Sequence, residues 1–384
     1  MVRSMRAVGV LAALLVFVAA CTPEAEAPTE ENPDISVAVD EALRALEGQV
    51  LSNGPHGEEA SPAEVTILTD DEIAQVREIG ATAAIVMHYG GNDWANAQIA
   101  GLEARFAELG IEVVAVTDAG FDPGQQVSDI ETVMALDPDI IVSIPTDPVA
   151  TAAAYQAASD AGVKLVFMDN VPDGMEAGID YVSVVSADNY GNGVVSAHLM
   201  AKALNGTGEI ALIFHEADFF VTQQRYDGFR TTIEEQYPDI EIVEERGIAG
   251  PDFAGDAQEV TDALLTQYPD LDGIWAVWDV PAEGVMASAR SAGRTDLMIA
   301  TQDLGTNVAI ALAQNEMIIG LGAQLPYDQG VAEANLAAGA LIGKTAPPYV
   351  ALFALPVDHA NVLEAWTTVY GADPPAEVAD SYVD

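Results

Sequence analysis

Short apolar runs alternate with segments of helical periodicity along most of this chain from Ala81 onward. The apolar runs indicate buried strands, and the segments between them indicate helices. Such an alternation predicts βαβ units and parallel sheets. The predicted strands are AAIVM (83–87), EVVAV (112–116), DIIVSIP (139–145), KLVFMD (164–169), EIALIFH (209–215), IEIVEER (240–246), GIWAVW (273–278), MIATQD (298–303) and MIIGLGAQ (317–324).

The number of predicted strands exceeds what a single sheet of this kind comfortably holds, so the pattern favours an α/β fold with two similar lobes. In each lobe a parallel sheet is flanked by helices. The strand pattern stops near 181–193 (YVSVVSADNYGNG), and we place the boundary there. A late helix (328–342) is predicted to return to the first lobe and the last apolar strand (349–357, YVALFALPV) to the second, which makes a multi-strand hinge. The predicted lobes are 81–186 with 325–350 and 187–324 with 351–368.

The first stretch of the chain has the pattern of an export signal. Arg3 and Arg6 precede an apolar run from Val8 to Val18, and small residues lead to Cys21, the only cysteine of the chain. The sequence VAAC resembles the lipobox of bacterial lipoproteins, which implies removal of residues 1–20 and lipidation of Cys21. The alternative is a plain signal peptide with an incidental cysteine. No later run reaches the ~18 apolar residues of a membrane span, so we expect an anchored protein.

Three further segments lie outside the predicted lobes. Residues 21–36 are rich in Pro, Glu, Ala and Thr, which is typical of a disordered tether. Residues 37–80 contain two helical patterns, at 37–46 and after Asp70, and form an extension before the lobes. Residues 369–384 form an acidic tail.

The charge of the chain narrows its possible partners. Asp and Glu number 61 against 13 Lys and Arg, and the formal net charge is −48. Such a surface repels polyanions, which argues against nucleic-acid binding. The same excess fits either a source adapted to high salt or a compositional bias of its lineage.

Motifs for catalysis are missing from this sequence. Its five histidines show no HExxH spacing, and there is no GxSxG, P-loop, CxxC or dinucleotide fingerprint. We therefore predict a protein that is not an enzyme and that uses no cofactor and no metal.

The stretch Ile85–Gly110 reads as a buried strand, a glycine turn and an amphipathic helix in succession. Asn92 or Asp93 can cap this helix, and Gly110 ends it. Open α/β sheets bind ligands in the cleft beyond the carboxyl ends of their strands. We therefore expect a ligand at this turn.

Planar polar and aromatic side chains follow nearly every predicted strand. Carboxylates, amides and a guanidinium can hydrogen-bond sugar hydroxyls, while aromatic faces cover the C–H groups of a sugar. Several of these residues also have a simpler interpretation. Asp169 or Asp303 could cap the following helix, Arg225 could form a surface ion pair, Trp94 and Trp278 could be core residues, and His88 is interpreted as a polar wall residue rather than a base. Phe219 and Phe220 are interpreted as core or rim. The candidate ligand-binding residues are His88, Asn92, Trp94, Asp169, Asn170, Arg225, Phe253, Trp278, Asp279, Asp303 and Gln324.

The order of these features resembles the ribose-type periplasmic sugar-binding proteins of ABC transporters, and also the effector domains of the lactose-repressor class. The resemblance spans about Ala81 to Val357. It implies a periplasmic binding protein-like fold of type I. It also implies sugar contacts at Asn92, Trp94, Asp169, Arg225, Asp303 and Gln324, with an aromatic ring near Phe253 stacked on the sugar. The matching phrases are GGNDWANAQIAG, FMDN, VSADNYGNG, QQRYDGFR, WAVWDVPAEG, TQDLGTN and GAQLPYDQG.

Two departures from the ribose-type pattern change the expected ligand. Asn170 stands where ribose binders typically have arginine, and Trp278 stands where they have asparagine. The predicted pocket is therefore less cationic and more aromatic than a ribose site. Another pentose, a deoxy-hexose, a polyol or a furanosyl signal molecule fits as well as ribose.

The sequence therefore predicts a monomeric, extracytoplasmic solute-binding lipoprotein. It would be anchored to the membrane through Cys21, capture a sugar or polyol between its lobes and present it to an ABC transporter permease. The alternative is a ligand-sensing module for a membrane chemoreceptor or receptor kinase, for which the same pocket would serve.

Overall fold

The computed structural model describes residues 33–217 and 219–383. The predicted signal peptide, the lipidation site at Cys21 and most of the predicted tether lie outside the described residues. The first described helix begins at Pro33, so the last four residues of the predicted tether (21–36) are helical.

Eleven of the thirteen strands in the described residues occur where the apolar runs predict them. Their bounds are β1 (Ser61–Pro62), β2 (Thr82–Met87), β3 (Glu112–Asp118), β4 (Ile140–Ser143), β5 (Lys164–Met168), β6 (Ser183–Ala187), β7 (Gly208–His215), β8 (Ile240–Ile248), β9 (Gly273–Ala276), β10 (Met298–Gln302), β11 (Ile318–Ala323), β12 (Tyr349–Leu352) and β13 (Leu355–Val357).

The helices separate consecutive strands along most of the chain. Their bounds are α1 (Pro33–Leu46), α2 (Asp70–Ile79), α3 (Asp93–Leu109), α4 (Pro123–Met134), α5 (Ala152–Asp160), α6 (Asn189–Ala203), α7 (Phe220–Gln236), α8 (Phe253–Gln267), α9 (Asp279–Ala292), α10 (Thr306–Ala313), α11 (Pro326–Leu341), α12 (Val362–Tyr370) and α13 (Ala376–Ala379).

Two sheets form the core of the fold. The first has the strand order β1-β12-β6-β5-β4-β2-β3, and all its pairs are parallel. The second has the order β13-β11-β10-β9-β7-β8, and only β13 is antiparallel to its neighbour. The predicted α/β fold with helix-flanked parallel sheets is thereby confirmed. Helices on both faces explain why β9, and β2 after its first residue, are apolar and buried.

Within residues 33–217 and 219–383, the chain crosses between the two sheets three times. These are the connections from β6 to β7, from β11 to β12 and from β12 to β13. The prediction that residues 349–357 form a single strand of the second lobe was wrong. β12 pairs with β6 in the first sheet, and β13 pairs with β11 in the second. An uninterrupted apolar run does not reveal that its partner changes midway. The residue boundaries of the lobes stay a prediction.

Strand β6 is an addition to the strands predicted from the apolar runs. It begins with Ser183 and contains Ser186, which hides it from a search for continuous apolar residues. Both hydroxyl groups are buried and hydrogen-bonded: the Ser183 Oγ donates to the Pro347 carbonyl at 2.7 Å, and the Ser186 Oγ donates to Asp169 at 2.6 Å. In this strand, serines whose hydroxyl groups are hydrogen-bonded therefore take buried positions that apolar residues would otherwise occupy.

The extension that precedes the lobes packs against both sheets. Helix α1 buries Val39 against α6, beside the second sheet, while β1 pairs with β12 at the edge of the first. The predicted helices at 37–46 and after Asp70 are confirmed as α1 and α2. Near the other end of the chain, Val378 is buried and the N–H of Val383 donates to the Ala313 carbonyl at 3.0 Å, so the acidic tail packs on the fold as far as it is described.

Within the described ranges, none of the helices combines the length and the apolar character that crossing a bilayer requires. The same ranges contain no group of three or more His, Cys, Asp or Glu side chains that could hold a metal ion.

Candidate functional site

A cavity lies at the carboxyl ends of the strands, and both sheets contribute to its walls. It contains about 610 Å³ of space that no protein atom fills, part of it open to solvent. The lining residues are His88, Tyr89, Asn92, Trp94, Phe121, Ile144, Asp169, His215, Phe219, Val221, Thr222, Arg225, Trp278, Asp279, Asp303 and Gln324.

All the candidate residues predicted from the sequence line this cavity except Asn170 and Phe253. The Asn170 side chain is buried beside it, and its Nδ2 donates to the Pro145 carbonyl at 3.4 Å. Phe253 packs edge-on against Phe121, His215 and Trp278, behind the cavity wall. Ligand binding by these candidates stays a prediction.

The turn after β2 supplies one wall. Asn92 is the residue that caps α3, since its Oδ1 accepts a hydrogen bond from the Ala95 N–H at 2.7 Å. Trp94 lies in the first turn of this helix, and its buried Nε1 has no hydrogen-bond partner among the described residues. The helix cap therefore holds Asn92 and Trp94 at the cavity while one indole N–H stays unused.

Arg225 and Asp303 form a buried ion pair on the opposite side. The Arg225 Nη1 lies 3.0 Å from the Asp303 Oδ2, and its Nε donates to the Asn189 Oδ1 at 3.0 Å. The other oxygen of Asp303 accepts from the Gln324 Nε2 at 2.9 Å. The Oε1 of Gln324 is buried without a partner in the described structure. The network thus orients an amide oxygen that has no protein donor.

Asp169 directly follows β5, has a positive φ of 55° and is almost fully buried. The Ser186 Oγ donates to its Oδ1 at 2.6 Å, and the Gln329 Nε2 lies 3.5 Å from the same oxygen. Burial raises the pKa of Asp169 to about 6, although the Ser186 hydrogen bond and the nearby Arg225 oppose that rise. An aspartate is one of the few residues that tolerates this backbone conformation at a strand end.

Asp279 begins α9 at the cavity and is also buried. Its Oδ1 accepts a hydrogen bond from the Val280 N–H at 2.9 Å. Burial, followed by the negative charges of Asp303 and Glu283, raises the pKa of Asp279 well above its ordinary value. The carboxyl group therefore lies in a setting that disfavours its charged form.

His88 follows β2 and is only 7% exposed. Burial lowers the pKa of its imidazole to about 3, so the ring is neutral at ordinary pH. Its Nδ1 has no partner among the described residues. The ring meets Phe121 edge-on at a centroid distance of 4.8 Å and lies nearly parallel to Phe219 at 6.1 Å. This arrangement fits a polar residue in an aromatic wall.

Several lining residues were absent from the sequence prediction. His215 ends β7 and would have been found by the same strand-end rule that selected the others. Tyr89 adjoins His88, and its ring stacks on Phe121 at 4.8 Å. Phe121 carries no such signal, because its position depends on the turn after β3, where its φ is 60°. Phe219, interpreted as core or rim, lines the cavity.

Comparison with known proteins gives consistent matches. Residues 83–345 match the protein family described as "Periplasmic binding protein domain". Ribose import binding protein RbsB of Bacillus subtilis (strain 168) is 26% identical over 244 residues, which are 64% of this chain and 76% of that protein. The D-apiose import binding protein of Paraburkholderia graminis is 25% identical over 256 residues, or 66% of this chain and 78% of that protein.

Solved structures with the same fold include an ABC sugar transporter subunit from Rhodobacter sphaeroides 2.4.1. It is 27% identical with a TM-score of 0.63, and the match covers 73% of this chain and 98% of that one. A solute-binding protein from Agrobacterium vitis, solved with bound allitol, is 24% identical with a TM-score of 0.66 over 75% of this chain and 98% of that one. The second likeness concerns the fold alone.

Proposed function

This chain belongs to the periplasmic binding protein domain family, and from that membership we propose that it is an extracytoplasmic solute-binding protein that captures a sugar or sugar-like polyol. The ligand would occupy the cavity between the two sheets and be delivered to an ABC import permease. The family match confirms the resemblance predicted from the sequence. Two relatives are named as import binding proteins for ribose and for D-apiose, which supports a polyhydroxylated ligand here.

One observation carries the proposal: polar atoms in the cavity wall are buried without a partner among the described residues. They are the Gln324 Oε1, the Trp94 Nε1 and the His88 Nδ1. A buried polar atom that forms no hydrogen bond costs about 1–3 kcal/mol. A sugar or polyol offers several hydroxyl groups, each of which both donates and accepts. Binding would therefore remove a cost that the empty cavity retains.

The remaining lining residues suit the rest of such a ligand. The rings of Trp278, Tyr89 and Phe219 would cover C–H surfaces, and the carboxyl groups of Asp169 and Asp303 would accept from hydroxyl groups. We assign ligand contact to the candidates that line the cavity. Asn170 and Phe253 would act behind the wall, where they support neighbouring side chains.

The crossings between the sheets provide a hinge for ligand entry and exit. We propose that the lobes 81–186 with 325–350 and 187–324 with 351–368 separate and close about these crossings. Closure would exclude water and strengthen each polar contact, and the permease would select the closed form. Such a cycle needs no catalysis, and we propose that the protein is not an enzyme. It would act as a monomer, held at the membrane by a lipid on Cys21.

A thermal-shift screen tests this proposal. The library contains pentoses, hexoses, deoxy-sugars and polyols, together with amino-substituted analogues of each class. A ligand present at about 100 times its Kd stabilises the folded protein by about 2.7 kcal/mol, so a true ligand raises the Tm by several degrees. The surface variant Asp239→Asn should respond like wild type, and Arg225→Ala should not respond. If no compound of the library shifts the Tm of the wild-type protein, the proposal is wrong.

A further inference from the structure

The acidic side chains of the cavity outnumber its basic ones. Asp169, Asp279 and Asp303 line it, and all three are buried. Of the lysines and arginines in residues 33–217 and 219–383, only Arg225 lines the cavity. The wall therefore holds three carboxyl groups and one guanidinium group.

Asp303 uses the single guanidinium. One of its oxygens lies 3.0 Å from Arg225 and the other accepts from Gln324, so each oxygen of this carboxylate has a partner in the protein. The other two carboxyl groups receive hydrogen bonds from neutral donors alone. For Asp169 these are Ser186 and Gln329, and for Asp279 the donor is the Val280 N–H. Neither carboxyl group forms an ion pair within the described structure.

The histidines of the wall do not offset this surplus. Burial lowers the pKa of His88 to about 3 and also lowers the pKa of His215, so both imidazoles are neutral near pH 7. The nearby carboxylates of Asp93 and Glu283 act on Asp279 and make the region more negative. Buried carboxylates without a cation are costly, and a cation brought by the ligand would remove that cost.

The rings around these carboxyl groups favour the same kind of ligand. Trp278 precedes Asp279 and packs against His215 at a centroid distance of 5.7 Å. Tyr89 stacks on Phe121, and its pKa is raised by burial and by the nearby charge of Asp279. Aromatic faces attract ammonium groups, and the attraction grows when the cation is desolvated. Aromatic rings beside unpaired carboxylates are a chemical setting that recognises amines.

We propose that the ligand is a sugar or polyol that carries a protonated amino group, and that Asp279 holds this group with Asp169 nearby. The inference rests on the proposed function and specifies its substrate class. The strongly acidic chain would in addition attract a cationic ligand from solution.

Calorimetric titration of matched ligands at pH 7 tests this inference. Each set consists of an amino sugar or amino polyol, its hydroxyl parent and its N-acetyl derivative, which keeps the nitrogen and loses the charge. Glucosamine, galactosamine and 1-amino-1-deoxyglucitol supply the first sets. We expect at least one amino member to bind at least about tenfold more tightly than both neutral counterparts, a difference of about 1.4 kcal/mol. A smaller ratio in every set overturns the inference.

The variant Asp279→Asn checks the assigned carboxylate. It keeps the size of the side chain, and it should lower the ratio of amino to hydroxyl affinity at least about fivefold, whereas Asp239→Asn on the surface should leave this ratio as in wild type. An unchanged ratio in Asp279→Asn rejects the role of Asp279. If the neutral members bind as well as the amino members, the inference fails and the proposed function stands. If no member of any set binds and the library screen is also negative, both fail.

Discussion

Asp93 and Thr306 form a hydrogen bond that joins the start of α3 to the start of α10. The Asp93 Oδ2 accepts from the Thr306 N–H at 2.6 Å. The first of these helices follows β2 in the first sheet, and the second follows β10 in the second sheet. A carboxylate at a helix N-terminus satisfies a free N–H and interacts favourably with the helix dipole. The bond therefore links the two halves of the cavity rim.

Removal of this bond should weaken the closed form. In Asp93→Ala the Thr306 N–H loses its acceptor, and we expect the ligand to dissociate about tenfold faster because hydrogen bonds to charged groups contribute about 1.5–3 kcal/mol. Stopped-flow dissociation measures the rate, and small-angle scattering measures the opening. Asp71→Ala removes an exposed acidic residue at the start of α2 and serves as the control. Equal dissociation rates in Asp93→Ala and wild type would contradict the proposed role of the bond.

Arg225 and Asp303 should depend on each other in their contributions to the stability of the fold and to ligand binding. Arg225→Met leaves Asp303 buried without a cation, and we expect a loss of about 3 kcal/mol in the free energy of unfolding. Asp303→Asn should also destabilise the protein, whereas the double variant should lose less than the sum. Urea unfolding of wild type and of the three variants gives the free energies of this double-mutant cycle. Calorimetry should find no ligand binding in any of the three variants. Additive losses would show that the two residues contribute independently.

The buried carboxyl group of Asp169 should make stability depend on pH in the opposite direction to a salt-bridged aspartate. Its pKa is raised to about 6 in the folded protein, compared with about 3.9 in an unfolded chain. The folded state therefore holds a proton between about pH 4 and 6 that the unfolded state has released. Stability from this group is present at low pH and is lost as the pH rises through that window.

Asp169→Asn isolates this effect from the other titrating groups. The free energy of unfolding of the variant minus that of wild type should rise by about 2–3 kcal/mol between pH 4 and 6 and then stay constant. Urea unfolding without ligand at pH 4, 5, 6 and 7 provides the measurement. Asp239→Asn, at an exposed position, should show no such trend. A difference that is flat from pH 4 to 7 would mean that burial does not raise the pKa of Asp169.

The parts of the fold that sequence could predict depend on neighbours in the chain. Buried strands such as β2 are continuous apolar runs, and the Asn92 cap follows from its place before a helical pattern. Sequence left Asn92 and Asp93 as equal candidates for that cap. The structure separates them, since Asp93 instead accepts from Thr306, more than two hundred residues away. No local pattern contains that information.

The candidate site shows the same limit. Strand-end positions identified Asp169, Asp303 and Gln324, because the carboxyl ends of parallel strands meet at one edge of a sheet. The rule could not find Phe121, whose place depends on a turn with positive φ. Nor could it show that Phe253 lies behind the rings that line the cavity. Which side of a wall a ring occupies is decided by packing between distant segments.

A contact between the extension and α6 is also invisible in the sequence. Asp188 caps α6 by accepting from the Gly191 N–H at 2.9 Å. The same carboxylate accepts from the Leu51 N–H at 2.8 Å, the Ser52 N–H at 2.9 Å and the Ser52 Oγ at 2.8 Å. The Ser52 Oγ in turn accepts from the Tyr190 N–H at 3.0 Å. The extension is thus fastened where the chain leaves the first sheet for the second.

Ser52→Ala should loosen this attachment without removing the cap of α6. The variant loses the bonds made by the Ser52 hydroxyl, and since each is worth about 1 kcal/mol we expect a local opening of residues 47–60 that is about fivefold to thirtyfold more frequent. Hydrogen exchange at the Leu51 and Ser52 amides measures this opening. Asp188→Ala should affect the same amides more strongly and also expose the Gly191 amide, because it removes the acceptor of the Leu51, Ser52 and Gly191 N–H groups. Ser128→Ala, in α4 far from the hinge, controls for general effects of removing a hydroxyl group. If the exchange of residues 47–60 is the same in Ser52→Ala and Ser128→Ala, the hydroxyl group does not hold the extension in place.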